Sequence, residues 1–195
     1  EITAYPAGET GHLDIPVELD GFKVVAITGT SPTQGAFQGS SLSSVMIPEG
    51  VETLGSHAFY WSRLLAVDFP TSLKRIGAKA FGLTAIGFGG EAIVLPGGLQ
   101  EIGEQAFWAC DFQQMIIPDS VTAIDNSAFA NCKQMTFLKI GTGTSGLPSG
   151  AFENCDQLKR VEFPEGLVEI GPDCFRGSTI AEVTFPSTLK ILGNR

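Results

Sequence analysis

The dipeptide Ala-Phe returns along this chain at a nearly constant step, and that return limits the fold more than any other feature. It sets Phe37, Phe59, Phe81, Phe107, Phe129 and Phe152 at steps of 22, 22, 26, 22 and 23 residues, with Cys174-Phe175 23 residues further on. Proline keeps the same frame at Pro48, Pro70, Pro96, Pro118, Pro164 and Pro186, and Gly141 fills the one open place. A fixed period of about 20–50 residues is the mark of a solenoid or array, in which each unit is too small to bury its own apolar face.

The frame carries a hydrophobic pattern. Immediately before the seven Pro or Gly positions stand Ile47, Phe69, Leu95, Ile117, Ile140, Phe163 and Phe185, and two residues earlier Val45, Val67, Ile93, Met115, Leu138, Val161 and Val183. All 14 are apolar in a chain that is 43% hydrophobic, an outcome that chance gives with a probability on the order of 10⁻⁵. Six residues after the Pro come Leu54, Ile76, Ile102, Ile124, Leu147, Ile170 and Leu192, followed by Gly in five copies and by Asp125 and Pro148 in the others. Apolar residues two apart predict a short strand with one buried face. Proline ends it, because it has no N–H for a ladder. Glycine after the second apolar anchor permits a tight bend. The reading is therefore a right-handed coil of about seven turns, its equivalent strands stacked as a parallel sheet about 4.8 Å apart.

The pattern L-x-x-V-x-I-P-x-x-L-x-x-I-G-x-x-A-F-x-x-C resembles the BspA-like, or Treponema-type, bacterial leucine-rich repeat. Runs such as Val121-Thr-Ala-Ile-Asp-Asn-Ser-Ala-Phe-Ala-Asn-Cys132 and Leu158-Lys-Arg-Val-Glu-Phe-Pro164 carry the resemblance. It covers roughly residues 36–195. It departs from the family pattern at Gly141 and at a four-residue insertion within Gly82–Gly90, which is expected to bulge from the solenoid. Residues 1–35 read as an atypical N-terminal cap with a hairpin at Asp20-Gly21, a dipeptide that favours tight turns. The solenoid of 36–195 ends inside a repeat, which leaves an open C-terminal end with the apolar edges of Ile180, Val183, Phe185 and Leu192. Self-association through that end is a further expectation.

Composition narrows the partners. The 24 Gly and 11 Pro would break a helical bundle repeatedly. Twelve basic against 21 acidic residues give a net charge of −9, which repels nucleic acid and an anionic membrane surface. No apolar run approaches 18 residues, so no membrane insertion is expected from this segment.

Catalytic chemistry finds little support. The two histidines, His12 and His57, form no Ser-His-Asp or Cys-His set with neighbours in the frame, and the variable residues at the His57 position suggest exposure. Cys110, Cys132 and Cys155 each lie three residues after a ladder Phe, where Ser40, Ser62, Thr84 and Ser178 stand in other copies. No Cys-x-x-Cys pair suggests zinc, so buried free thiols are the expectation and neither metal nor cofactor is. Asp68 alone offers a carboxylate on the outward strand face of the N-terminal half, and Glu162 and Glu182 do so later, near Lys139 and Arg160. A solvated, salt-bridged face accounts for them better than a glycosidase pair.

Two surfaces remain. Alternation turns the positions two and four before the Pro away from the core. Met46, Asp68, Val94, Ile116, Phe137, Lys139, Arg160 and Glu162 lie there, apolar in the middle and charged towards the C-terminal third. An apolar patch so placed suits a protein ligand, with Phe137 as anchor and Arg160 and Glu162 as rim. Tyr60, Trp61 and Trp108 form a second candidate, an aromatic platform for a carbohydrate or peptide. The resemblance implies a non-enzymatic, secreted or cell-surface adhesion module that contacts host matrix proteins or other cells. The alternatives are a structural spacer presenting other domains, or a carbohydrate-binding or carbohydrate-active protein.

Overall fold

The structure is a computed structural model, which describes residues 10–90, 93–181 and 183–194. Among them no helix forms; short strands and turns wind into a coil, and neighbouring coils are joined by hydrogen bonds along three ladders.

The first ladder holds the V-x-I segments. Thr10–Asp14, Ser41–Met46 and Ala66–Asp68 pair in parallel, and so do Ile93–Val94, Gln114–Ile116, Phe137–Lys139 and Arg160–Glu162. The register is in phase with the repeat: Val45 faces Val67, and Met115, Leu138 and Val161 share one row. The ladder divides between Ala66–Asp68 and Ile93–Val94, where the insertion enters. Gly87 still donates its N–H to the Leu65 carbonyl at 3.0 Å. The excursion then turns on Gly89 and Gly90, both at positive φ, and exposes Phe88. Among the described residues no strand forms at the last copy of the motif, where Val183 and Phe185 are exposed. Glu182, expected on the outward face of that strand, lies outside the described residues.

The second apolar anchor, read from sequence only as the start of a bend, builds a second ladder. Ala26–Ile27, Thr53–Leu54, Arg75–Ile76, Glu101–Ile102 and Ala123–Ile124 pair in parallel, and Gly146–Leu147, Glu169–Ile170 and Ile191–Leu192 continue as a separate sheet. Near the division sits Gly141. A Cβ there would lie 2.3 Å from the Pro118 carbonyl oxygen, and one on Gly143 would lie 2.3 Å from that of Asp119. The two coils approach too closely at this corner for any side chain, which is why the repeat gives up its proline here.

The third ladder runs through the Ala-Phe turns. Residues two before and two after each Phe from Phe59 to Phe175 hold left-handed backbone, as in His57 (φ 59°) and Trp61 (φ 55°), Lys79 (φ 56°) and Leu83 (φ 59°), Gln105 (φ 55°) and Ala109 (φ 56°). This sends the Phe59, Phe81, Phe107 and Phe129 N–H groups to Ala80, Ala106, Ala128 and Ala151 carbonyls of the next coil at 2.7–2.8 Å. Left-handed backbone is unfavourable for most side chains; one inter-coil bond after another offsets it.

Regular coil spacing stacks the side chains. Phe37, Phe59, Phe81, Phe107, Phe129, Phe152 and Phe175 form a column with neighbouring ring centroids 5.0–5.4 Å apart and planes within 12° of parallel. Phe69, Phe112 and Phe163 meet the column edge-on. The preceding alanines, 0% exposed at Ala58, Ala80, Ala106, Ala128 and Ala151, leave room for one coil to sit on the next.

The N-terminal segment takes part in the same winding. Thr10–Asp14 joins the first ladder beside Ser41–Met46, and Ala26–Ile27 joins the second beside Thr53–Leu54. Between them an antiparallel hairpin pairs Glu18–Leu19 with Phe22–Lys23. Its corner, Asp20 (φ 52°) and Gly21 (φ 79°), has positive φ at both central positions, as a type I′ turn requires.

Candidate functional site

The outward face follows from strand alternation. Val45, Met115, Leu138 and Val161 are buried, whereas the residues next to them, Met46, Ile116, Lys139 and Arg160, are exposed. The register places Val94 directly beside Ile116, and Ile116 beside Lys139, which pairs with Glu162. Val94 is 78% exposed and Ile116 52%, so two branched apolar side chains stand next to each other in water on a hydrogen-bonded sheet. Met46, also exposed, pairs with Asp68 and lies across the divide in the ladder from Val94.

Phe137 occupies the other outward row, opposite Gln114 and Arg160. It is half-buried because the Arg160 guanidinium lies over its ring, 5.4 Å from the centroid. Arg160 also donates to Glu162 at 2.5 Å. The intended anchor and rim are thus in contact: the cation–π pair and the ion pair hold one another in place. An exposed ion pair contributes only about 0–1 kcal/mol to stability, so this cluster serves to fix geometry on the surface.

The aromatic candidates separate. The Tyr60 ring lies over Gly82, where an added Cβ would be 3.2 Å from its Cδ2 and Cε2, and it meets the His57 ring edge-on at 5.2 Å. Trp108 is half-buried, and among the described residues no ring–ring contact joins it to Tyr60 or Trp61. Trp61 is exposed and lines an open groove with Arg63, Leu65 and Leu83. The repeat frame gave no reason to single out these last three, because residue type at their places in the frame varies from coil to coil.

His57 differs from its expected exposure. It is half-buried with Nδ1 enclosed and unpartnered, and burial followed by the nearby Lys79 charge pulls its pKa down, favouring the neutral ring. The four cysteines are buried and free. Cys110 and Cys132 donate to the carbonyls of Phe81 and Phe107 at 3.1 Å, and Cys155 to that of Phe129 at 3.4 Å, one coil back in each case. Thr84 serves the same corner by donating to the Phe81 carbonyl at 2.7 Å. Thr84 and these three cysteines, each three after a Phe, thus donate to Phe carbonyls at the column, whereas the hydroxyls of Ser40 and Ser62 at the equivalent places are buried without a partner. Burial pushes Cys110, Cys155 and Cys174 up to about 12, and Cys132 well above its ordinary value. Among the described residues no cluster of His, Cys, Asp or Glu has the makings of a metal site.

Six copies of the BspA type leucine-rich repeat region match residues 29–87 and 90–195. The chain belongs to that family. This BspA-type protein is similar to the leucine-rich repeat protein of Treponema pallidum, at 30% identity and a TM-score of 0.73, over 85% of this chain and 77% of that one. A leucine-rich repeat protein from Bacteroides ovatus is 24% identical with a TM-score of 0.66, and one from Eubacterium ventriosum 15% with 0.62; both matches cover 93% of this chain. Those two likenesses concern the fold alone. The BspA-type chain spans 53% and 55% of their lengths. No curated protein matches it significantly. Among the described residues no helix is long and apolar enough to cross a membrane.

Proposed function

We propose that this BspA-type chain is a non-enzymatic binding module of an exported or cell-surface protein, and that it contacts a protein ligand through the outward strand face. The observation that carries the reading is the pair Val94 and Ile116, exposed side by side on a rigid sheet. Covering each contributes about 1.5–3 kcal/mol, more than any single exposed charge on the face. Phe137 with Arg160, Glu162, Lys139 and Asp68 supplies a mixed-charge surround that orients the partner and selects against others. Repeat solenoids commonly use an extended face in this way.

Host extracellular matrix proteins are the proposed ligand class. The purified chain, applied to immobilised matrix proteins, is expected to bind at least one, and the double variant Ile116→Ser, Phe137→Ser is expected to lose that binding. Retention of binding by the folded double variant would move the site elsewhere. End-on self-association is a second reading, favoured by the exposure of Phe185, Ile191 and Leu192. Sedimentation velocity over a concentration series tests it; a single monomeric species throughout would exclude it.

A further inference from the structure

Trp61 is a large exposed aromatic that packing does not explain. Its backbone is left-handed at φ 55°, and 69% of its surface is exposed. The equivalent places in other coils hold Gly39, Leu83, Ala109, Asn131, Asn154 and Gly177, so Trp61 is the only aromatic in the series. The left-handed backbone is shared along the series and goes with the bond from the Trp61 N–H to the Gly82 carbonyl at 2.8 Å, so the feature particular to this coil is the large exposed ring.

The groove beside it has a volume of about 620 Å³ and is walled by Trp61, Arg63, Leu65, Leu83, Ala85 and Ser41. Arg63 is its one ionisable lining residue, and no carboxylate faces it. The other described arginines, Arg75, Arg160 and Arg176, are each held in an ion pair with a glutamate; Arg63 has no such partner. In a chain of net charge −9, a groove whose only charge is an unpaired, exposed cation is complementary to an anion.

We infer that this groove binds an acidic peptide segment of a protein partner, whose carboxylate meets Arg63 while a neighbouring apolar or aromatic side chain covers Trp61, Leu65 and Leu83. The two leucines decide between peptide and acidic sugar. A saccharide stacked on Trp61 would find only Ser41, the buried Ser62 and Arg63 among the walls of Leu65, Leu83 and Ala85, too few partners for a ring of hydroxyls, and unpaired buried hydroxyls are costly. A Phe or Leu side chain loses nothing there. None of the groove residues belongs to the Val94–Ile116 face, so the inference stands apart from the function proposed above.

The test uses a Trp108→Phe variant, which leaves Trp61 as the sole tryptophan reporter. Four capped hexapeptides with Asp-Phe, Glu-Phe, Asp-Leu or Glu-Leu cores, their Asn or Gln counterparts, and a glucuronic acid oligosaccharide are titrated by fluorescence. At least one acidic peptide is expected to bind about tenfold tighter than its amide counterpart, the size of one charge-assisted hydrogen bond, with the difference shrinking in high salt. Arg63→Gln should erase the difference without moving the melting temperature, and Trp61→Ala, followed by calorimetry, should weaken binding of both peptides. Equal binding of acid and amide, binding of the saccharide alone, or binding of none would overturn the inference. The Ile116→Ser, Phe137→Ser double variant is expected to bind these peptides as well as the parent, so failure at the groove and failure at the face are read separately.

Discussion

Phe129 shows how much one side chain contributes to a stack. Its ring is fully buried between Phe107 at 5.3 Å and Phe152 at 5.2 Å, both nearly parallel, with Phe112 edge-on at 6.4 Å. Truncation leaves a cavity that two flanking coils cannot close without losing their inter-coil bonds. Phe129→Ala is expected to cost about 3–5 kcal/mol, measured by urea unfolding, and a loss below about 1 kcal/mol would place the ring outside the core. The thiols report on the same column. Buried at the Phe carbonyls and pushed up to about 12 at Cys110, Cys155 and Cys174, they should resist a thiol-reactive dye until denaturant is added. Rapid native labelling would contradict their placement. Linkage adds a direction: the unfolded thiols lose protons near their ordinary value while the folded ones keep theirs. Stability should be fully present below that value and decline as pH rises from there towards about 12.

At the scale of the element, the Pro corner is held by acids that reach across coils. Glu49 accepts from the Thr71 N–H at 2.8 Å and its hydroxyl at 3.1 Å, Asp119 from the Thr142 N–H at 2.8 Å, and Glu165 from the Ser187 hydroxyl at 2.9 Å. The backbone bond from Thr71 comes first in holding Glu49 below the usual carboxylate range, and that from Thr142 in holding Asp119 there. A depressed carboxylate stabilises the fold above its unfolded value and ceases to do so as pH falls through the folded one. The melting temperature should therefore drop below about pH 4, and Glu49→Gln should flatten that acid limb. Gly141 offers a sharper test. The repeat frame favours proline there, yet the Pro118 carbonyl occupies the place of a Cβ. Gly141→Pro is expected to destabilise by about 1–3 kcal/mol, as overpacking does; a gain in stability would mean that the corner is looser than described.

Much of the element level was legible because it rests on periodicity. Apolar pairs such as Val45 and Ile47 or Met115 and Ile117 follow from an alternation of two, and both pairs are buried. The column of Phe follows from the 22-residue step. The second ladder was not legible, since a two-residue strand such as Arg75–Ile76 is too short to show alternation. Nor was the left-handed backbone at Lys79, Gln105 or Ser127, because side-chain type gives no warning when inter-coil hydrogen bonds impose the conformation. The groove at Trp61 was not legible although its lining keeps the 22-residue step, with Gly39, Trp61 and Leu83 in one row and Ser41, Arg63 and Ala85 in another, because residue type at both places varies from coil to coil.

For the whole molecule, the two sides of one strand have two proposed jobs. Inward residues join the column and hold the coils; outward residues are free for a partner. Glu162 and Lys139 stand on the same strands as Val161 and Leu138, one residue apart, with opposite environments. Such a division predicts that stability and binding can be separated by substitution on one ladder. The direct measurement is urea unfolding of the Ile116→Ser, Phe137→Ser double variant beside the parent chain, with matrix-protein binding followed on the same samples. If the two sides are so divided, stability stays within about 1 kcal/mol of the parent, as for surface changes, and binding is lost. Unfolding of the double variant, or a cost near the 3–5 kcal/mol of an emptied core site, would contradict that division.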